Sequence, residues 1–310
     1  MTETTEKDTP FEKNPSNILP AKYTLDSMLK FRCHPGISCF TQCCGTINIV
    51  LTPFDILRLR KRLNNMGAAD FIHNFTNPIY LEKTDLPGVI IKLTEEGRCP
   101  FVTPEGCIIY TDRPTACRYY PVGMANFHEA AKENETAEEF YFIVKESHCR
   151  GFEEDKMWTI REWREDQGVD VCDRMNKGWM EIIMRRKSFG LQATLSEPAK
   201  KIFFMASTDL DSFRTFVFES SFLNTYIIDE DTIESLKIDD VALMHFSFRF
   251  LASSLFGTQD LKITEEKIQA KVEEMKKKQQ EKSKEAEKVY EELVADREKL
   301  KQMIDKNKKG

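Results

Sequence analysis

The sequence predicts an α+β chain: a small cysteine-rich domain of short strands and helices, then a helical region, then one long charged helix. Three observations carry this. Eight of nine cysteines fall between Cys33 and Cys149, beside Gly and Pro. Over the same stretch, β-branched runs alternate with capped helical segments. Beyond residue 158 apolar residues recur at helical spacing, and from Thr264 Glu, Lys and Gln dominate, with no Pro or Gly until Gly310.

The chain has 310 residues, 41% hydrophobic and 31% charged, enough for one or two domains with a sizeable core. Its net charge of -6 offers no basic surface to a phosphate backbone, which argues against nucleic-acid binding. No apolar run reaches the ~18 residues of a membrane span. The opening MTETTEKDTP lacks the apolar core of a secretory signal. The expected location is the cytoplasm, where thiols stay reduced.

In chain order, residues 1–22 are polar with three prolines and read as a flexible N-terminal arm. The domain from 23 to 151 follows. Within it, Thr46 to Leu51 reads as a short strand. Thr52-Pro53-Phe54-Asp55 reads as an N-cap, a first-turn Pro and an early acid, opening a helix to about Asn64 with Ile56, Leu57 and Leu63 inward. Its Arg58, Arg60, Lys61 and Arg62 form a basic face, either solvated or turned to an anion. A second helix covers Ala68 to Phe75. Gly88 to Leu93 and Glu139 to Val144 read as strands.

Residues 152–257 form the helical region. Thr159 and Glu162 have the spacing of a capping box. A helix from Val169 to Lys187 is expected to turn Val171, Met175, Trp179, Ile182 and Ile183 to one side, with Cys172 in the core. Phe213, Phe216 and Val217, and then Val241, Met244, Phe248, Leu251 and Leu255, give further core faces. Residues 258–310 form a charged helix or coiled coil. Its broken heptad makes residues 264–306 a surface for a protein partner or self-association.

The chemistry lies in the thiols. Cys33, Cys39, Cys43 and Cys44 fall within a dozen residues; Cys99, Cys107, Cys117 and Cys149 follow. A single free Cys is ordinary core filler. A cluster on Gly- and Pro-rich loops instead suits soft-metal binding, since thiolates hold Zn²⁺ and the iron of Fe–S clusters. No Cys-x2-Cys occurs, which argues against a thioredoxin-like pair and a common zinc ribbon. A Cys-x3-Cys-x2-Cys pattern fails because Thr46 stands at its third position. In extended backbone Cys43 and Cys44 would face opposite ways. They would then serve two metals or one cluster, unless one is structural or the chain bends sharply. Arg113 and Arg118 flank Cys117, as charge compensation or as ordinary paired arginines. His34, His128 and His148 are secondary candidates.

These motifs resemble the YkgJ-type cysteine-cluster family, also called the CxxCxxCC zinc- or iron-chelating domain. The resemblance rests on Cys33, Cys39, Cys43 and Cys44, then Cys99-Pro100-Phe101, Cys107-Ile108-Ile109-Tyr110, Arg113-Pro114, Cys117-Arg118, Pro121 and Cys149. The five residues between Cys33 and Cys39 depart from the family's name pattern. The resemblance implies a metal site holding zinc or an iron–sulfur cluster, such as 4Fe-4S, with no single activity. Eight thiols allow two tetrahedral zinc sites, or one four-cysteine cluster with spare thiols. Two other functions follow. One is a redox enzyme or a protein-lysine N-methyltransferase-like enzyme, the latter because a flagellin lysine N-methylase shares the domain. The other is a zinc-stapled adaptor acting through its C-terminal helix.

Overall fold

The computed structural model describes residues 18, 21–45, 47–127, 138–190 and 194–264, together with 266, 269 and 273. His128, most of the N-terminal arm and nearly all of the helix expected over 264–306 lie outside the described residues. Helices mix with short antiparallel strand pairs, an α+β architecture. Two compact units are distinguished: residues 1–216 with 230–260, and residues 217–229 with 261–310.

In the first unit, β1 (Met28–Lys30) precedes the first cysteine loop. Then come α1 (Pro53–Arg62), α2 (Ala68–Phe75), β2 (Thr76–Tyr80) and β3 (Pro87–Ile91). The Thr52 side chain accepts from the Asp55 amide while the Asp55 carboxylate accepts from the Thr52 amide. This reciprocal pair satisfies donors that a helix start leaves open. β2 pairs with β3 in full antiparallel register, Pro78 opposite Val89. The stretch expected as a strand after Cys44 is reduced to an edge contact: Leu51 donates to Val89 and Ile91 donates to Ile49.

β4 (Val102–Thr103) and β5 (Gly106–Cys107) make a tight hairpin. α3 (Thr115–Tyr119) leads into β6 (Val122–Phe127), which pairs with β7 (Glu138–Ile143). β8 (Met157–Thr159) returns to pair with β1. α4 (Ile160–Gln167) starts at the Thr159–Glu162 capping box and stops at Gly168, whose φ of 65° suits a residue without Cβ.

Two apolar cores result in this part of the chain. One gathers Ile49, Leu51, Ile56, Leu59, Phe71, Val89, Ile91, Phe101 and Ile109; Cys99, Cys107 and Cys117 pack against it. The other gathers Leu29, Phe31, Val122, Tyr141, Ile143, Ile160 and Trp163; Tyr120 and Cys149 pack against that one. Phe31 meets Tyr120, Phe152 and Trp163 edge-on, the geometry aromatic quadrupoles favour.

α5 (Val169–Ser188), α6 (Glu197–Thr208), α7 (Leu210–Glu219), α8 (Phe222–Thr225), α9 (Glu230–Ile238) and α10 (Asp240–Phe256) follow. α10 packs on α5 and α6, and Gly178 of α5 lets the Phe248 ring approach its backbone. The face expected for α5 is corrected at Val171, which is 42% exposed. The buried face instead runs through Val169, Cys172, Asn176, Trp179, Ile182, Ile183 and Arg186. Its polar members are partnered: Asn176 accepts from the Phe54 amide and donates to the Cys172 carbonyl, and Arg186 pairs with Asp85. Cys172 is core, as expected, at 1% exposure. In the second unit, β9 (Tyr226–Ile227) pairs with β10 (Lys262–Ile263). No described helix is long and apolar enough to cross a membrane.

Candidate metal centre

Backbone hydrogen bonds bring the cysteine loops together. The Arg32 amide donates to the Gly151 carbonyl at 3.0 Å, laying the Cys33 loop beside the Cys149 loop. The Arg150 amide donates to the Cys39 sulfur at 3.2 Å, the N–H to sulfur contact that supports a thiolate. The Cys99 amide donates to the Cys44 carbonyl at 2.8 Å. The Arg98 guanidinium reaches the Thr41 carbonyl and hydroxyl. The β4–β5 hairpin sets Cys107 opposite Val102. Asp55, 2% exposed, accepts from the Thr115 amide and hydroxyl and so fixes the start of α3, which carries Cys117.

The chain does bend at the adjacent pair. Thr41 sits in the left-handed region at φ 66° and a 3-10 turn runs over Gln42–Cys44. The Cys43 and Cys44 thiols therefore lie close enough to act on each other's ionisation instead of facing opposite ways. Their proximity raises the pKa of Cys43 and lowers that of Cys44.

The other six thiols differ in how they act on this pair. Cys33 feels the charges of Cys43, Cys39 and Cys149. Burial first, and then these thiols, push it up to about 11. Cys149 feels Cys39 and Cys43. On the other side Cys44 feels Cys99, Cys117 and Cys107. Cys117 is pushed up to about 12, by burial and then by Cys99, Asp55 and Cys107. Cys43 also faces Cys107 and Cys117, so it stands at the junction. These mutual effects link Cys33, Cys39, Cys43 and Cys149 with one another, and link Cys44, Cys99, Cys107 and Cys117, with Cys43 shared between the two groups. Cys172 belongs to neither.

The surroundings differ between the sets. Burial raises the pKa of Cys99 and of Cys107, and Arg98 and Arg113 respectively oppose that shift. Arg118 turns away, donating to the carbonyls of Arg113, Gln167 and Thr111. Around the first set lie carboxylates: Glu146 acts on Cys43 and stands 3.2 Å from His148. His34 accepts from the Gly36 amide at Nδ1 and meets Glu154 at Nε2, so both its ring nitrogens are engaged. The buried Tyr120 hydroxyl has no hydrogen-bond partner. Burial raises the pKa of Cys149, and the nearby Tyr120 hydroxyl opposes that shift.

Tyr120, Asp55 and Glu146 carry no motif of their own, so the sequence does not mark them as site residues. Only the Thr52–Asp55 capping signal points to one of them.

The donor chemistry fits a soft metal. Eight thiols stand on loops that are distant in sequence and joined by backbone contacts, one of them with an amide on its sulfur. Among the described residues no three His, Cys, Asp or Glu side chains already form an ion cage.

No curated protein and no solved structure matches the chain. Residues 32–150 match the model of the CxxCxxCC family, described as "Putative zinc- or iron-chelating domain".

Proposed function

We propose that the chain binds zinc or an iron–sulfur cluster through two four-thiol sets: Cys33, Cys39, Cys43 and Cys149, and Cys44, Cys99, Cys107 and Cys117. The observation that supports this is the way backbone contacts join the cysteine loops: Arg32 to Gly151 and the Arg150 amide to the Cys39 sulfur on one side, Cys99 to Cys44 on the other, with Cys99, Cys107 and Cys117 packed on one core. Sets of four match the tetrahedral thiolate coordination of structural zinc and the four-cysteine ligation of common Fe–S clusters. Burial and mutual repulsion hold most of these thiols in the protonated state, so a bound cation would supply the stabilisation that the bare thiolates lack. Binding would draw each set inward from its present separation and release protons.

The test is elemental analysis and visible absorption on full-length protein purified without oxygen. Two metal equivalents of zinc in a colourless sample support paired zinc sites. Iron and labile sulfide in a brown sample support clusters. A metal-free sample that takes up neither metal on reconstitution overturns the proposal.

A further inference from the structure

The two sets are built differently in three respects. The first is access. Cys33 is the exposed one of the eight, although Cys39 of the same set is buried, whereas Cys44, Cys99, Cys107 and Cys117 are all at least half-buried. The second is support. Cys99, Cys107 and Cys117 all pack on one apolar core, while Cys149 is the first-set thiol that packs on the aromatic core around Phe31. The third is charge. Four thiolates on a divalent ion carry a net negative charge. Arg98 adjoins Cys99 and lies against Gly45, next to Cys44 of the second set. The first set has Glu146, whose carbonyl accepts from the Cys149 amide at 3.0 Å. Its nearby cation, Arg150, is paired at 2.8 Å with Glu153 on the surface.

At Cys33 the differences act in the same direction. Solvent and competing ligands reach an exposed sulfur first. A ligand held by turns alone moves at lower cost than one wedged against a core. A carboxylate beside an anionic centre weakens it, and guanidinium groups beside one strengthen it.

Resting on the metal-binding function proposed above, we infer that the Cys33, Cys39, Cys43 and Cys149 set is the exchangeable centre and the Cys44, Cys99, Cys107 and Cys117 set the resident one. Cys33 is the ligand that yields its place to an incoming soft donor, such as a small thiol or a chelator. The first set is then the place where the chain can take up, hand on or expose metal without losing its fold.

The experiment is metal release from the anaerobically purified full chain into a chromogenic chelator, followed by stopped flow. The expected trace has two phases of similar amplitude, separated by at least about tenfold in rate, the size of effect that groups around a metal site commonly exert. Cys33→Ser should remove or further accelerate the fast phase and leave the slow one unchanged; Cys107→Ser should do the reverse. In the unmodified chain, brief iodoacetamide treatment with peptide mapping should label Cys33 before any thiol of the second set. That labelling separates the two sets even if a variant fails to fold. A single release phase, a Cys33→Ser effect confined to the slow phase, or earlier labelling of Cys99, Cys107 or Cys117 would overturn the inference while leaving metal binding intact. Failure to bind metal at all would overturn the parent function instead.

Discussion

The carboxylate of Asp55 accepts from the Thr115 amide at 2.8 Å and from the Thr115 hydroxyl at 2.7 Å. One buried acid therefore caps α1 and starts α3, whose first turn carries Cys117. Burial raises its pKa, and the donors of Thr52 and Thr115 oppose that shift. Asp55→Ala leaves these donors without an acceptor. Hydrogen bonds to a charged group contribute about 1.5–3 kcal/mol, and a lost cap about 1 kcal/mol. The expected destabilisation is about 2–4 kcal/mol, measured as a lower urea midpoint. Asp55→Asn, which keeps an acceptor oxygen, should lose less.

Tyr120→Phe separates packing from polarity. The hydroxyl is buried without an oxygen or nitrogen partner, so its removal should leave Tm within about a degree or raise it. If the O–H steadies the Cys149 sulfur, metal retention at the first set should still fall, by roughly tenfold. Tm and metal content after a timed chelator challenge check both. Unchanged retention would make Tyr120 a packing residue alone.

Gly151 sits where a Cβ would stand 2.5 Å from the Phe31 ring and 3.0 Å from the Arg32 carbonyl. The second contact is backbone and cannot swing aside. Gly151→Ala should push apart the loops bearing Cys33 and Cys149, at a cost of about 1–3 kcal/mol. Its effect on metal content should fall on the first set. Measuring release phases in this variant tests that selectivity.

Asp211 predicts an acid dependence. Its carboxylate pairs with Arg60 at 2.6 and 2.8 Å and accepts from the Ala68 amide at the start of α2. Burial opposes ionisation, but Arg60 and the amide prevail and hold the carboxyl below its ordinary range. With the folded value below the unfolded one, near 3.9, the stabilisation is complete above about pH 4. It is lost as pH falls through the depressed folded value. The side chain is 44% exposed, so solvent screening limits the effect of Asp211→Asn to about 1 kcal/mol at pH 7. The difference from the parent should shrink towards pH 2–3 in urea titrations.

The parts of the fold that are legible in the sequence are those fixed within a few residues. Thr52 with Asp55 and Thr159 with Glu162 form capping boxes, and α2 spans the expected residues, because cap chemistry and helical period are local. β2 and β6 are not legible. Pro78 argues against a strand, yet it is tolerated where the ladder has only two strands. Gly123 lowers strand propensity, but the Phe142 ring covers it. The inward face of α5 departs from expectation at Val171 because buried Asn176 and Arg186 do not register in a search for apolar residues.

For the site, residue types are legible and ownership is not. Cysteines on loops announce soft-metal chemistry wherever they stand in the chain. Which thiol faces which depends on contacts such as Arg32 with Gly151 and Cys99 with Cys44, made across more than fifty residues. The turn that brings Cys43 onto Cys44 depends on the left-handed Thr41, a conformation that threonine alone does not advertise.

In the proposed arrangement a single peptide unit joins the two halves of the site. Consecutive Cα atoms across such a bond are about 3.8 Å apart, and no repacking of either core can lengthen that span. The Cys43–Cys44 bond is thus a covalent ruler: the two cores may breathe, loosen or shift, but whatever the halves hold travels as a pair. An insertion of even one residue there would change the gauge of the whole centre, whereas the loops before Cys39 and after Cys44 are free to vary in length without touching it.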